Sequence, residues 1–274
     1  MLRNEGDRLV RVVVCTPDSE YFKINNLGAH NITQLPDRNR AIQQHDELKS
    51  VLSAFGCEVI NIPELSGHPN SVFTRDTALC TPHGYIELRM GLDTRRGEEA
   101  WMSQVLESLD EPKVGSIQEP GTVEGGDIIL AGSVAFVGQS QRTNSEGVKQ
   151  ISNFLRGMGF EVRSISVPPP YLHLGGAMSV VGPDSVLFCR GVFPDDFFRG
   201  FHTVEVASEL FISGNVICLG EHELIADLSN AGAIRKLERA GFIVHAIDLS
   251  EFVKGTGGPT CLILPVSRDG DYCM

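Results

Sequence analysis

The sequence predicts an α/β fold built from about five copies of one unit, hairpin then helix then strand, closed into a ring. Three observations lead there. A helix-ending phrase occurs as Phe55-Gly56-Cys57-Glu58-Val59-Ile60-Asn61-Ile62, as Met158-Gly159-Phe160-Glu161-Val162-Arg163-Ser164-Ile165, and as Ala240-Gly241-Phe242-Ile243-Val244-His245-Ala246-Ile247. Each reads as a helix closed by a glycine just past its last turn, then a strand alternating in and out. Between the phrases lie pairs of short apolar runs joined by turns, which is the pattern of hairpins. The unit returns roughly every 50 residues, and units of this kind cannot bury their apolar faces alone. A ring is therefore favoured over an open solenoid without capping repeats. A doubly wound sheet is the alternative, but hairpins fit poorly with all-parallel strands.

Taken in order, Leu9 to Cys15 is Val-rich and reads as a buried strand, ended by Thr16-Pro17-Asp18. Tyr21 to Leu35 reads as a long irregular loop, of the sort that forms lids over sites. A helix follows over Arg38 to Phe55, with Ile42, His45, Leu48, Leu52 and Phe55 on one stripe. The expected hairpins pair Ser71 to Leu79 with Tyr85 to Arg89, Asp127 to Leu130 with Val134 to Val137, and Ala177 to Val181 with Ser185 to Cys189. Phe211 to Leu219 reads as a further strand region leading to the last helix. No linker or low-complexity tract divides the chain, so residues 1–274 read as one domain.

Composition excludes several classes of function. A formal net charge of -12 argues against a binder of phosphate backbones, because nucleic-acid affinity is mostly Lys and Arg neutralising phosphates. It suits a small cationic ligand. No apolar run approaches the ~20 residues of a membrane span, and no basic-then-apolar leader opens the chain. The seven cysteines are odd in number and unclustered, which fits reduced thiols in a cytoplasmic protein. No Cys/His set has zinc-ligand spacing, so no metal is expected.

Four stretches carry candidate chemistry. Gly255-Thr256-Gly257-Gly258-Pro259-Thr260-Cys261 places a thiol after a Cβ-poor approach, where a strand begins. The thiol is either plain core or a nucleophile backed by rigid structure. Asn70-Ser71-Val72-Phe73-Thr74-Arg75-Asp76 reads as a strand with Phe73 and Arg75 on one side and Thr74 and Asp76 on the other. Asp76 is then paired with an arginine or displayed to a cavity. Glu124-Gly125-Gly126-Asp127 puts carboxylates around a tight turn, and His173 sits between a proline run and two glycines. Each alone has a plain structural reading. All four fall at strand ends of different units, and so would converge on one axis. No Ser-His-Asp set, GxGxxG or GxxxxGK[ST] competes.

With these residues in view, the chain resembles the dimethylarginine dimethylaminohydrolases, and more distantly the arginine deiminases. These enzymes modify guanidino groups on a five-bladed α/β propeller, the pentein fold. The likeness spans nearly the whole chain. It is carried by Asn70 to Asp76, Thr94-Arg95-Arg96-Gly97-Glu98, Gly121 to Asp127, Gln141-Arg142-Thr143-Asn144, Leu172-His173-Leu174 and Gly258 to Cys261. The resemblance implies a hydrolase acting on N-methylated arginine, giving citrulline and an alkylamine without a cofactor. It implies that Cys261 attacks the guanidinium carbon, while His173 first protonates the leaving amine and then activates water. Glu124 and Asp76 would hold the guanidinium, Arg95 and Arg142 the substrate carboxylate, and Leu27 would be the lid residue. A homodimer is left open.

Two departures bear on substrate. Asn70 and Arg75 stand where the dimethylarginine enzymes usually carry acids near the substrate's amino group, so both are expected to meet the substrate, and how the α-amine is recognised is left open. Deiminases carry a second acid two residues after the histidine and a histidine before the cysteine, where this chain has Gly175 and Thr260. Gly175 leaves room for N-methyl groups, which favours a substituted guanidine over plain arginine. Amidino transfer to an amine is a further alternative. A binding module of the same shape, as in ribosome anti-association factors, would be expected to lack the cysteine, histidine and acids found here.

Overall fold

In the computed structural model, which describes residues 2–270, the β-branched run Val10, Val12, Val13 and Val14 forms strand β1 (Arg8–Cys15). A crossover through α1 (Arg38–Ala54) brings in β2 (Glu58–Ile62), parallel to β1. Asp37 caps α1 by accepting the Arg40 amide at 2.9 Å, and Gly56 turns the chain out at φ 93°. His45, Leu48 and Leu52 of the expected stripe are buried, while Ile42 and Phe55 are half-buried.

The same unit then recurs. The second sheet holds β3 (Ala78–Thr81), β4 (Gly84–Glu87) and, after α2 (Glu98–Ser108), β5 (Lys113–Ser116). The third holds β6 (Ile128–Ala131), β7 (Val134–Gln139) and, after α3 (Ser145–Gly157), β8 (Glu161–Ser166). The fourth follows the short α4 (Leu174–Ala177) with β9 (Met178–Gly182), β10 (Ser185–Cys189) and β11 (His202–Val206). The fifth contains β12 (Val216–Gly220), β13 (Glu223–Asp227) and, after α5 (Ala231–Arg239), β14 (Ile243–Ile247). Past α6 (Ser250–Val253), β15 (Leu264–Asp269) runs antiparallel to β1 and completes the first sheet.

Each of these five three-stranded sheets is an antiparallel pair extended by a parallel strand, and in the last four the pair is a hairpin. Neighbouring sheets touch: β15 meets β3, β6 meets β9, β9 meets β12, and β12 meets β1. The second and third sheets are joined by an Arg89–Val123 bridge and by the turns ahead of β3 and β6. The architecture is thus mixed α/β with five sheets, as the repeat predicts.

Several elements differ from expectation. Ser71 to Leu79 is not a strand throughout: Pro69–Val72 and Thr74–Asp76 are 3-10 turns, and pairing begins at Ala78. Hydroxyls satisfy the backbone locally, Thr77 Oγ1 donating to Thr74 O and Thr74 Oγ1 to Val13 O, so strict alternation fails there. Cys261 likewise sits on a 3-10 turn, Pro259–Leu262, ahead of β15 rather than opening it. In the fourth sheet the crossover to β11 has no helix; Phe193, Phe197 and Phe198 pack with Phe136 and Phe188 instead. β5, β11 and β13 lie outside the predicted strands.

Among the described residues no helix is long and apolar enough to cross a membrane. Cys15, Cys57, Cys80, Cys189, Cys218 and Cys261 are free thiols, and Cys273 lies outside the described residues.

Candidate active site

The turns that precede the sheets build one small cavity. Asp76 reaches it from the turn before β3, His173 from the residue that begins α4, and Cys261 from the turn before β15. Glu124 lies directly behind His173, at the start of the Gly125–Asp127 turn before β6. The glycines of that turn are steric necessities. A Cβ on Gly126 would stand 2.8 Å from the His173 ring, and one on Gly125 2.1 Å from Arg75 O. The sequence signals at Asp76, Glu124, His173 and Cys261 therefore do meet in space, although they come from four different units.

Glu124 is fully buried and fully engaged. Its Oε2 accepts from His173 Nε2 at 2.8 Å, and its Oε1 accepts from the amides of Gly91 at 3.0 Å and Leu92 at 3.3 Å. Burial opposes its charge, but His173, Arg95 and Arg142 hold the carboxyl well below the usual range. For His173 burial also opposes charge, yet Asp76, Asp127 and Glu124 together push it from 6.5 up to about 9. At neutral pH it is an imidazolium, poised to give a proton.

The Cys261 thiol points the other way. Burial first, and the Asp76 carboxylate second, push it up to about 11, against a 3.4 Å donation from the Gly258 amide and the charges of Arg75 and Arg95. Unlike the other described cysteines it is partly exposed. The resting pair is therefore a neutral thiol and a charged imidazole. A cation arriving beside Asp76 removes part of what keeps the thiol protonated.

Asp127 binds this centre together from below. Its Oδ1 accepts the Leu174 amide at 2.9 Å and its Oδ2 accepts Ser140 Oγ at 2.6 Å, while Ser140 Oγ accepts the Arg142 amide at 3.0 Å. Burial raises the Asp127 carboxyl to about 6 despite the His173 charge and these bonds. Its proximity to Glu124 in the motif was legible, but this bracing role was not.

The two arginines of the cavity differ. Arg142 has one long contact, 3.4 Å from Glu124 Oε1, and keeps donors for a ligand. Arg95 is more committed: it donates to Asp76 Oδ2 at 2.6 Å, Glu98 Oε2 at 2.8 Å and Phe73 O at 3.0 Å. Burial lifts the Glu98 carboxyl to about 7 even against Arg95, and its Oε1 has no hydrogen-bond partner.

Asn70 lines the cavity and ties down the loop that covers it. Its Nδ2 donates to His30 O at 3.1 Å, and its Oδ1 meets His30 Nδ1 at 3.2 Å. His30 and Asn31, not Leu27, face the cavity; Leu27 begins the Gly28–His30 turn and packs against the core. Arg75 also turns away. It donates to Glu5 Oε1 at 2.6 Å, Ile128 O at 2.8 Å and Gly125 O at 3.3 Å, so the expectation that it meets substrate gives way to a role as a buried strut. That expectation rests on the resemblance; the reading that sets Arg75 and Asp76 on opposite sides agrees with Asp76 lining the cavity and Arg75 turning from it.

Asp76, Glu124 and His173 offer ligand atoms within 4.8 Å of one another, as a cation site would. Those atoms are already bonded to Arg95, to the Gly126 amide at 3.1 Å, and to each other. A second cavity lies on the far side of the thiol, walled by Gly175, Gly176, Phe211 and Ile212. A Cβ on Gly175 would stand 3.2 Å from Gly126 O, 3.9 Å from Thr260 Oγ1 and 4.0 Å from Asn215 Nδ2, so the glycine allows a close fit there.

Comparison with known proteins gives a consistent result. The family described as "N,N dimethylarginine dimethylhydrolase, eukaryotic" matches residues 19–267. The N(G),N(G)-dimethylarginine dimethylaminohydrolase of Pseudomonas aeruginosa is 30% identical over 229 residues, 84% of this chain and 89% of that protein. A cysteine-to-serine mutant of the Pseudomonas aeruginosa enzyme, solved with citrulline, superposes with a TM-score of 0.83 at 26% identity, covering 94% of this chain and 99% of that one. The N-terminal domain of a cyanobacterial arginine dihydrolase shares the fold, with a TM-score of 0.82 at 21% identity over 96% and 98% of the two chains.

Proposed function

The chain belongs to the dimethylarginine dimethylaminohydrolase family, and from that premise we propose that it hydrolyses N-methylated arginine to citrulline and an alkylamine. The observation that carries this reading is geometric: the Cys261 thiol, the His173 imidazole held by Glu124 at 2.8 Å, and the Asp76 carboxylate gather around one cavity.

The substrate guanidinium docks against Asp76, which lines the cavity, while Glu124 holds His173 from behind, and the guanidinium charge offsets the carboxylate field on Cys261. The thiol then releases its proton to solvent water. The thiolate forms a C–S bond to the guanidinium carbon while the C=N electrons move to nitrogen. His173 gives its proton to the substituted nitrogen, the C–N bond breaks and the alkylamine leaves. Neutral His173 then takes a proton from water as the water oxygen attacks the same carbon. As the C–S bond breaks, the hydroxyl so formed loses its remaining proton to become the carbonyl of citrulline, and the departing sulfur takes that proton back to a thiol. Hydrolysis is thereby divided into two easier steps.

Arg142, with its donors largely free, is the stronger candidate for the substrate carboxylate, with Arg95 assisting and Asn70 holding the cover loop. The touching sheets support a single catalytic domain closed as a five-bladed propeller, and the free thiols support a reducing cytoplasm. We assign a small guanidino compound as the partner, with a homodimer as the assembly to test.

The test is direct. Incubation with arginine, monomethylarginine and dimethylarginine, followed by assay of citrulline and released amine, is expected to give product from the methylated substrates. Silence on all three refutes the substrate. A covalent adduct that survives Cys261→Ser refutes the mechanism.

A further inference from the structure

In four of the five sheets, the residue group ahead of the first strand carries part of the proposed chemistry: Asp76 before β3, Glu124 before β6, His173 before β9, Cys261 before β15. The fifth sheet has an occupant at the corresponding place. Asn215 immediately precedes β12 and lines the second cavity with His173 and Cys261.

We propose that Asn215 is a positioning residue that locks the turn of the acid/base to the turn of the nucleophile. The proposal rests on the reaction assigned above. The carboxamide is buried, and its polar valences leave its own unit entirely. Nδ2 donates to Gly175 O at 2.8 Å and to Thr260 Oγ1 at 2.7 Å, while Oδ1 accepts from the Thr260 amide at 3.0 Å. Gly175 lies two residues past His173, and Thr260 directly precedes Cys261. Both amide protons and the carbonyl are therefore spent joining those two turns. The fit is close, since a Cβ on Gly258 would stand 2.7 Å from this carboxamide. An aspartate could not make the same set, having no proton for the Gly175 carbonyl, and a serine could not span both turns.

Such a clamp matters because the imidazole must serve two successive partners, the leaving nitrogen and the water, at the carbon fixed by the thiol. A displacement of one turn against the other by about 1 Å is enough to lower a rate about 100-fold. Thr260 is the graded control, because its side chain supplies only one of the three bonds.

The experiment compares Asn215→Ala, Asn215→Ser and Thr260→Ala with the wild-type full chain. It measures kcat and KM on dimethylarginine, the melting temperature, and the His173 titration midpoint from imidazole ¹⁵N NMR. For Asn215→Ala, kcat is expected to fall about 100-fold with KM held within about threefold. The His173 midpoint is expected to fall by about one unit as the ring drifts from Glu124. Thr260→Ala is expected to lose less than about fivefold in kcat. Should Asn215→Ala fail to fold, Asn215→Ser carries the same expectation. An unchanged kcat and midpoint in a folded Asn215 variant overturns the proposal, as does a lower melting temperature with kcat and midpoint intact. If the wild type turns over no methylated arginine while the His173 midpoint still moves in Asn215→Ala, the clamp stands and the substrate assignment falls.

Discussion

Replacing Glu124 by glutamine tests the electrostatics of the centre most sharply. The carboxylate contacts His173 Nε2 at 2.8 Å with no exposure to solvent. The rise of His173 from 6.5 to about 9 amounts to about 3 kcal/mol in favour of the imidazolium. Burial pulls the other way, and with Glu124 neutral only Asp76 and Asp127 oppose it. The midpoint is then expected at or below its ordinary value. At pH 8 a midpoint of 9 leaves about nine-tenths of the imidazole protonated, whereas one of 6.5 leaves about 3%. The proton donor is thus depleted about 30-fold at pH 8 but hardly at pH 6, where both forms are mostly charged. The assay is the single-turnover rate of amine release, in wild type and Glu124→Gln, across that range. A general distortion lowers the rate by the same factor at every pH. The expected signature is a deficit that widens by about 20- to 30-fold from pH 6 to pH 8. A deficit independent of pH, or a His173 midpoint still near 9 by NMR, refutes the reasoning.

Two further outcomes are expected. Because burial and Asp76 hold the Cys261 thiol up at about 11, its alkylation by iodoacetamide in the free enzyme, followed at that site by mass spectrometry, should keep rising from pH 7 to pH 10. A plateau below pH 8 would mean a resting thiolate, and Asp76→Asn should raise the rate at pH 8. Arg75→Met leaves the Glu5 carboxylate without its 2.6 Å partner and should cost about 3 kcal/mol, read as a fall of roughly 8 °C in melting temperature with KM unchanged. A raised KM with intact stability would place that side chain against the substrate after all.

What could be read in advance depended on whether the cause was local. Gly56, Gly159 and Gly241 all adopt φ above 80°, a conformation that excludes most other residues, so the three helix ends carrying them were visible as a repeat. The second unit hides because its turn uses Asp110 at φ 61° in place of glycine. The fourth hides because phenylalanines replace the crossover helix, and nothing in a Phe-rich loop announces that it stands in for one. Within the site, thiol, imidazole and carboxylates advertise their chemistry by residue type. Asn215 has no such signature, and its role emerges only when Gly175 and Thr260 are found on either side of it. The arginines are the clearest case of a tertiary decision. Arg75 and Arg95 look equally available in sequence, and what separates them is Glu5, a partner 70 positions away from Arg75.

The pairing of β1 with β15, Arg8 against Asp269, has a consequence for how the protein comes into being. A growing chain can dock β2 on β1 early, but the other edge of β1 waits until all the intervening units have been made. The turn holding Cys261 arrives with that late strand. A chain that stops short of β15 holds the residues of the proton donor and the acids but lacks the strand that anchors the sulfur they serve. Closure of the first sheet and placement of the nucleophile are therefore tied to the same strand.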